Sequence, residues 1–265
     1  MKVLLAVLAF TNPHLLDLCI DSWPKDVDRA VLWQGEHDEM FPVIEKYKPT
    51  ININLRRKYN WGVAGGWNII IREAFTQDYD AIVFVGSDTK MLPGFWESFI
   101  KHTENYDFVE SSHLFNCFLI TRKCIKKVGL FDENFYPAYI EDNDYRIRVL
   151  LSGISYKRNQ GNPKLFLHNE SSTVNTNPFY RKKCDYTHEL NKQYMHSKWG
   201  GEENTGWLTN YKTPFNIPNW PLHKWVLDLQ MRSNKHWDAL PDDETDVRLQ
   251  ILKDAIKYSI RSYEV

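Results

Sequence analysis

No stretch of this 265-residue chain approaches the ~18 consecutive apolar residues that a membrane-spanning helix needs. The nearest candidate is Val3 to Phe10, after Met1-Lys2. It imitates a short signal peptide, but no small-x-small cleavage site follows it, so a buried first strand is expected. Cysteine is scarce: Cys19, Cys117, Cys124 and Cys184 are widely scattered. They show neither metal-ligand spacing nor a disulfide framework, which points to a reducing, cytoplasmic setting. An excess of one charge is also missing. Lys plus Arg number 33 and Asp plus Glu 34, for a net charge of -1. The chain therefore has no overall electrostatic pull toward nucleic acid or anionic membrane. Internal repeats and low-complexity linkers are absent.

What the chain does have is core and aromatics. Hydrophobic residues make up 43% and charged residues 25%, which suits a packed globular core. Aromatics reach 14%, with Trp 10. Such a surplus lines sugar- or base-binding clefts in some proteins, although most aromatics are core.

Strand and helix patterns alternate. Val3 to Phe10, Arg29 to Trp33, Ile51 to Leu55 and Ala81 to Val85 read as strands. His14 to Trp23, Phe41 to Tyr47, Trp67 to Phe75 and Pro93 to His102 read as helices, with Pro93 in a first turn. Asn116 to Thr121 and Leu165 to His168 read as later strands, the last with a polar exit from Asn169 to Thr173. This alternation implies a mostly parallel sheet with helices on both faces. Ligands in such sheets bind beyond the carboxyl ends of the strands. The polar turns fall there: Thr11-Asn12, Gln34-Gly35, Asn60 to Asn68, and Ser87-Asp88.

The densest chemistry lies between Val128 and Arg148, with carboxylates at Asp132, Glu133, Glu141, Asp142 and Asp144. The second cluster opens a helix whose apolar stripe is expected at Ile140, Ile147, Leu150, Leu151 and Ile154, with Gly153 as its stop. Acidic residues also suit a helix N-terminus for plain dipole reasons, and Asp142 with Arg146 and Asp144 with Arg148 are spaced as i,i+4 ion pairs. The segment Asn60-Trp61-Gly62-Val63-Ala64-Gly65-Gly66-Trp67-Asn68 joins a strand to a helix. Its glycines would let backbone approach a ligand closely, or let the helix pack tightly on the strand. It is neither a Walker A loop nor a clean GxGxxG. Asp88 directly follows an apolar strand and could hold a hard divalent cation, or simply serve a turn. His168 ends a strand and is a candidate second ligand, or a packing residue.

Taken in order, these elements resemble the GT-A glycosyltransferases of family 2, especially the rhamnosyltransferase-like branch. The matching residues are Asn60, Gly62, Gly66 and Asn68; Ser87-Asp88-Thr89; Gly129 to Glu133; Glu141-Asp142-Asn143-Asp144; and His168 to Ser172. The resemblance implies a GT-A, Rossmann-like catalytic domain over residues 1–173. It leaves 174–265 as an aromatic-rich C-terminal extension packed on that domain and ending in a helix near Val247 to Tyr258. Segments Lys198-Trp199-Gly200-Gly201 and Pro214-Phe215-Asn216 also look like tails of some such enzymes.

The implied activity is inverting, metal-dependent sugar transfer from a nucleotide sugar to a hydroxyl of a glycan or lipid-linked saccharide. Thr11, Asn12, Gln34, Asn60, Gly62, Gly66, Asn68, Ser87 and Asp88 would form the donor site. Asp88 and His168 would hold Mn²⁺ or Mg²⁺. Asp142 would be the catalytic base, supported by Glu141 and Asp144, with Asp132 and Glu133 on the acceptor side.

Two positions depart from the family pattern. Where an Asp usually recognises the base, the chain reads Trp33-Gln34-Gly35, so Gln34 would bond the base and Trp33 would stack on it. The metal element is reduced to Gly86-Ser87-Asp88. Rival readings are sugar transfer to modified viral DNA bases, which the neutral charge disfavours, nucleotidyl transfer on a similar fold, and a non-catalytic carbohydrate-binding derivative. Self-association through the aromatic tail is compatible with its composition, but Trp and Tyr are too generic to establish it.

Overall fold

The computed structural model describes residues 1–168 apart from 36, 59, 102 and 103, together with 181, 187–189, 191–192, 194–195 and 198–199. Most of the expected extension, including the helix near 247–258, and also the 169–173 exit of the expected catalytic domain, lie outside the described residues.

Strands β1 (Val3–Ala9), β2 (Asp28–Gln34), β3 (Ile53–Arg57) and β4 (Ala81–Val85) pair in parallel in the order β3-β2-β1-β4. The sheet continues through β7 (Leu114–Thr121), β6 (Phe108–Ser111) and β8 (Tyr156–Gln160). Of its seven strands only β7 runs antiparallel to both neighbours. A separate two-stranded ribbon pairs β5 (Thr89–Met91) with β9 (Phe166–His168), setting Thr89 opposite His168. β5, β6 and β8 were not anticipated. They are short, and β8 carries the polar run Tyr-Lys-Arg-Asn-Gln with no apolar alternation to announce it.

The central strands are apolar on both faces because both faces are covered. Leu4 and Ala6 of β1, Ile82 and Phe84 of β4, and Phe118 and Ile120 of β7 enter one core with α3 (Gly62–Thr76), α5 (Arg122–Val128) and α6 (Glu141–Ser152). Leu5, Val7 and Ala9, then Val83 and Val85, then Cys117 and Leu119 enter the other, with α1 (Pro13–Asp21), α2 (Phe41–Tyr47) and α4 (Phe95–Ile100). The period-2 side-chain alternation of a strand sends neighbours to opposite cores.

Helix ends follow local chemistry. Asn12 adopts φ 62 and its side chain accepts from the Leu15 amide at 3.2 Å, with Pro13 in the first turn. α4 starts two residues later than expected, because Gly94 takes φ 88 and leaves Pro93 outside the helix. α6 stops at Gly153, φ 69, as the sequence indicates.

Two expectations fail. α3 begins at Gly62, so Gly65 and Gly66 belong to its first turns and not to a loop. A Cβ on Gly66 would lie 2.9 Å from Leu8 Cδ1, so this glycine lets α3 sit directly on β1. The expected apolar stripe of α6 is buried only in part: Ile140 is buried and Ile147 and Ile154 pack on core clusters. Leu150 and Leu151 are 59% and 48% exposed, while Asp144, Tyr145, Arg148 and Val149 are buried. The helix buries a neutralised ion pair: Arg148 bonds Asp144 at 2.9 Å and also donates to the Val128 and Leu130 carbonyls.

Candidate functional site

Beyond the carboxyl ends of β1, β2 and β4 lies a cavity of about 380 Å³. Leu8 and Phe10 line it from β1 and its exit, Gln34 from β2, and Val85 to Asp88 from β4. Asn60, Gly62 and Val63 come from the start of α3. The opposite wall is Pro137, Ala138, Tyr139, Glu141 and Asp142, and His113 to Asn116 close the side. Seven expected site residues therefore share one cavity: Gln34, Asn60, Gly62, Ser87, Asp88, Glu141 and Asp142. Phe10, His113, Asn116 and Tyr139 also reach it and were not anticipated. Their signal was weak, since each stands alone beside a turn or a strand end.

The remaining expected residues do other work. The Thr11 hydroxyl donates to Glu39 at 3.1 Å, and Asn12 caps α1. Gly66 faces Leu8 and Gln34. Asn68 is fully buried: its amide donates to the Phe131 carbonyl and to Glu133, and its carbonyl accepts from the Phe131 amide. Glu133, also within 3.5 Å of Arg72, is thereby part of the tie between α3 and the 131–133 turn. Asp132 and Asp144 are wholly buried and share Lys198. None of these seven lines the cavity.

The expected base-recognition pair is also committed to structure. Gln34 accepts from the Trp61 amide at 2.9 Å and donates to the Gly62 carbonyl at 3.3 Å, so both ends of its amide hold the α3 N-terminus. Trp33 is buried in the core and donates to Asn54 at 2.7 Å. It has no face left for stacking. Phe10, seated edge-on to His37 at 4.7 Å, is the aromatic ring that meets the cavity from this side.

The wall opposite is clamped onto α3. Val63 donates its amide to the Pro137 carbonyl at 2.7 Å, and the Tyr136 hydroxyl donates to the Asn60 carbonyl at 3.0 Å. Gly62, φ 74, is required here: a Cβ would stand 2.8 Å from the Pro137 oxygen.

Burial shifts two neighbouring carboxyls on this wall. Burial, then the adjacent Asp142 charge, push the Glu141 carboxyl well above its ordinary value. One of its oxygens, Oε2, is buried without a hydrogen-bond partner among the described residues. Burial also raises Asp142, with Arg146 pulling it back. The expected Asp142–Arg146 ion pair is not what Arg146 makes: its guanidinium sits 2.9 Å from the buried Glu110 and bonds Asn143. Asp142 thus faces the cavity with a cation nearby but not in direct ion pairing. Both carboxyls are thus shifted in the same direction, each holding its proton more tightly than an exposed carboxylate would.

Across the cavity, Gly86 turns tightly. Its carbonyl accepts from the Thr89 hydroxyl at 2.7 Å and its amide donates to the Asn116 carbonyl at 2.9 Å. This presents Asp88 beside the ribbon. Asp88 Oδ2 lies 3.7 Å from His168 Nε2, a buried nitrogen that makes no hydrogen bond among the described residues. A carboxylate oxygen and an available imidazole nitrogen suit Mn²⁺ or Mg²⁺. Among the described residues no group of three or more His, Cys, Asp or Glu gathers as a metal cluster. Two protein ligands are nevertheless enough for a cation completed by substrate phosphates and water.

No protein-family model matches the chain. The chain is similar to a galactofuranosyl glycosyltransferase of Leishmania donovani, 28% identical over 150 residues. That match covers 50% of this chain and 33% of the relative, so the chain spans about a third of the curated relative's length. Among solved structures it resembles TarS of S. aureus with a TM-score of 0.52 and 12% identity, over 99% of this chain and 54% of that one. A shorter TarS structure, residues 1–349, gives 0.48 and 16% over 60% and 58%. Among the described residues no helix is long and apolar enough to cross a membrane. With helices on both faces of a mostly parallel seven-stranded sheet and a β5–β9 ribbon beside its carboxyl edge, the chain has the glycosyltransferase-like GT-A fold.

Proposed function

We propose that this chain is an inverting, metal-dependent glycosyltransferase that moves a sugar from a nucleotide-sugar donor to a hydroxyl of a saccharide acceptor. The observation that carries the reading is the cavity itself: Asp88 on one side and the raised Glu141–Asp142 pair on the other, both at the carboxyl edge of the sheet. The name of the Leishmania relative supports sugar transfer and makes a galactofuranosyl donor one candidate to test. Family 2 membership, with a hexosyl or rhamnosyl donor, is part of the same proposal. So are a catalytic unit over 1–173 with an appended 174–265 segment, and a cytoplasmic setting. Three buried free thiols, Cys19, Cys117 and Cys124, agree with a reducing compartment.

Asp88 and His168 would hold the divalent cation, which when bound neutralises charge on a departing diphosphate. The chain's own groups do the rest. Phe10 offers its ring to the base, and Gly62 lets the 136–137 wall close directly onto the start of α3. Asp142, which faces the cavity beside Glu141, accepts the proton of the attacking acceptor hydroxyl. The clamped wall fixes the direction of that attack, and holding donor and acceptor in line supplies much of the acceleration. Asp132, Asp144, Asn68 and Glu133 act in this reading by holding the wall and α3 in place.

The test is calorimetric and thermal-shift titration of the full chain. It uses UDP, GDP, dTDP and CMP with their sugars, a UDP-linked galactofuranosyl donor included, each with Mn²⁺ and with EDTA. Saturable, Mn²⁺-dependent binding of one nucleotide is expected. A folded chain that binds none of them in either condition would remove the donor site and the proposal with it.

A further inference from the structure

The cavity wall that carries Asp142 is braced from behind by residues far along the chain. Every described residue between 187 and 199 is helical. Asn191, Tyr194, Met195, Lys198 and Trp199 recur at the spacing of one helix face. Met195 and Trp199 are buried with Phe135 and Ile140 in a small core of their own. The polar members of this face all bond to the wall or its flanks.

Asn191 donates its side-chain amide to the carbonyls of Ala138 and Tyr139, at 2.9 and 3.0 Å, and both residues line the cavity. Lys198 Nζ stands 2.7 Å from Asp132 and 2.7 Å from Asp144. The Tyr194 hydroxyl donates to Asp132 at 2.7 Å and the Trp199 indole N–H to Asp144 at 2.9 Å. Arg148 takes the other oxygen of Asp144. Two buried carboxylates are thus balanced by two buried cations. One carboxylate precedes the wall and the other lies two residues after Asp142.

We infer that the described residues between 187 and 199 form a positioning brace for the proposed base, with Lys198 and Asn191 as its positioning residues. Lys198 ties the start of the 132–140 wall to the first turn of α6, and Asn191 fixes the bend between them. None of these side chains touches the cavity, so their effect reaches Asp142 only through the backbone they hold. A saturated Asp144 also leaves Asp142 as the only ionisable group of that turn, besides Glu141, that faces the cavity. The inference rests on the proposed role of Asp142, but its structural half can be tested without any activity.

The experiment compares the full chain with Asn191→Ala and Lys198→Met by amide hydrogen exchange and by kinetics. Asn191→Ala removes two hydrogen bonds and leaves the buried charges paired, so it keeps the test open if Lys198→Met fails to fold. Exchange at amides 138–145 is expected to rise at least about tenfold in Asn191→Ala while β1 and β4 amides stay as in the parent. In the same variant kcat should fall about tenfold or more, with nucleotide-sugar affinity within about twofold, as expected for a displaced catalytic group. Exchange at 138–145 unchanged overturns the brace. Loosened exchange with kcat unchanged overturns its link to the base. If the parent chain transfers no sugar, the proposed function fails, and the exchange comparison still decides whether the segment holds the wall.

Discussion

At the scale of single residues, the sharpest consequences attach to the two raised carboxyls. Asp142→Asn keeps the size of the side chain and removes its basicity. Transfer is expected to fall about 10²- to 10⁴-fold while donor affinity stays within about twofold; rates near the parent value would reassign the base. Because burial raises Asp142, the acid limb of kcat/KM should lie above the ordinary carboxylate range, and activity should drop as pH falls through it. Glu141 gives a stability prediction of definite sign. Its folded-state value is raised well above 4.5, so the folded chain holds this proton more tightly than the unfolded chain. Stability from this group is therefore lost as pH rises from about 4.5 through the raised value. Glu141→Gln should stabilise the free protein at pH 8 by about 1 kcal/mol or more, and change little at pH 4. Denaturant midpoints at the two pH values measure this, and an equal effect at both would contradict the assignment.

At the scale of elements, the junction of α3 with the 131–140 wall shapes the cavity, and glycine governs it. In an exposed helix, Gly→Ala gains roughly 0.5–1 kcal/mol. At Gly66 the new methyl would meet Leu8 and Gln34 at 2.9–3.0 Å, so Gly66→Ala is expected to destabilise by about 1–3 kcal/mol instead. Gly62→Ala should cost at least as much, because it adds a positive-φ penalty of about 1–2 kcal/mol to a contact with the Pro137 carbonyl. Chemical denaturation of both variants checks this, and a stabilised Gly66→Ala would show that α3 does not sit on β1 as described. α6 has the opposite character. Its helical form serves Asp144 and Arg148, which meet buried partners, and its Leu150 and Leu151 face outward.

At the scale of the whole molecule, pH acts through paired charges as well. Burial opposes the charge on Asp132, but Lys198 together with the Asn134 and Tyr194 bonds holds its carboxyl below 3.8. Its folded value being depressed, the stability it contributes is present above about pH 4 and lost as pH falls below. Asp107, lowered through Lys123 and Ser155 against its own burial, acts in the same direction. Glu141 favours the acidic side and these aspartates the neutral side, so thermal stability should peak in mildly acidic solution. A pH series of melting temperatures tests this; a monotonic rise to pH 9 would contradict it.

The sequence by itself determined the sheet and its edge. Val3 to Ala9, Asp28 to Gln34 and Ala81 to Val85 are too apolar to sit anywhere but between two helical layers, and chain alternation then makes them parallel. It also placed Gln34, Asn60 and Ser87-Asp88 at one ligand face, because polar turns directly after buried strands collect there, whereas Glu141 and Asp142 joined that face only through the family resemblance. Tertiary structure alone decided which polar residues face the cavity. Asn68, Asp132, Glu133 and Asp144 belong to the same motifs as the cavity residues, yet each is buried against partners distant in sequence, such as Phe131 for Asn68 or Lys198 for Asp132. A buried charge is tolerated only when paired and hydrogen-bonded. Whether such a partner arrives depends on how the chain returns through space, and no local pattern at Asp132 or Asp144 announces Lys198, 66 residues beyond the first.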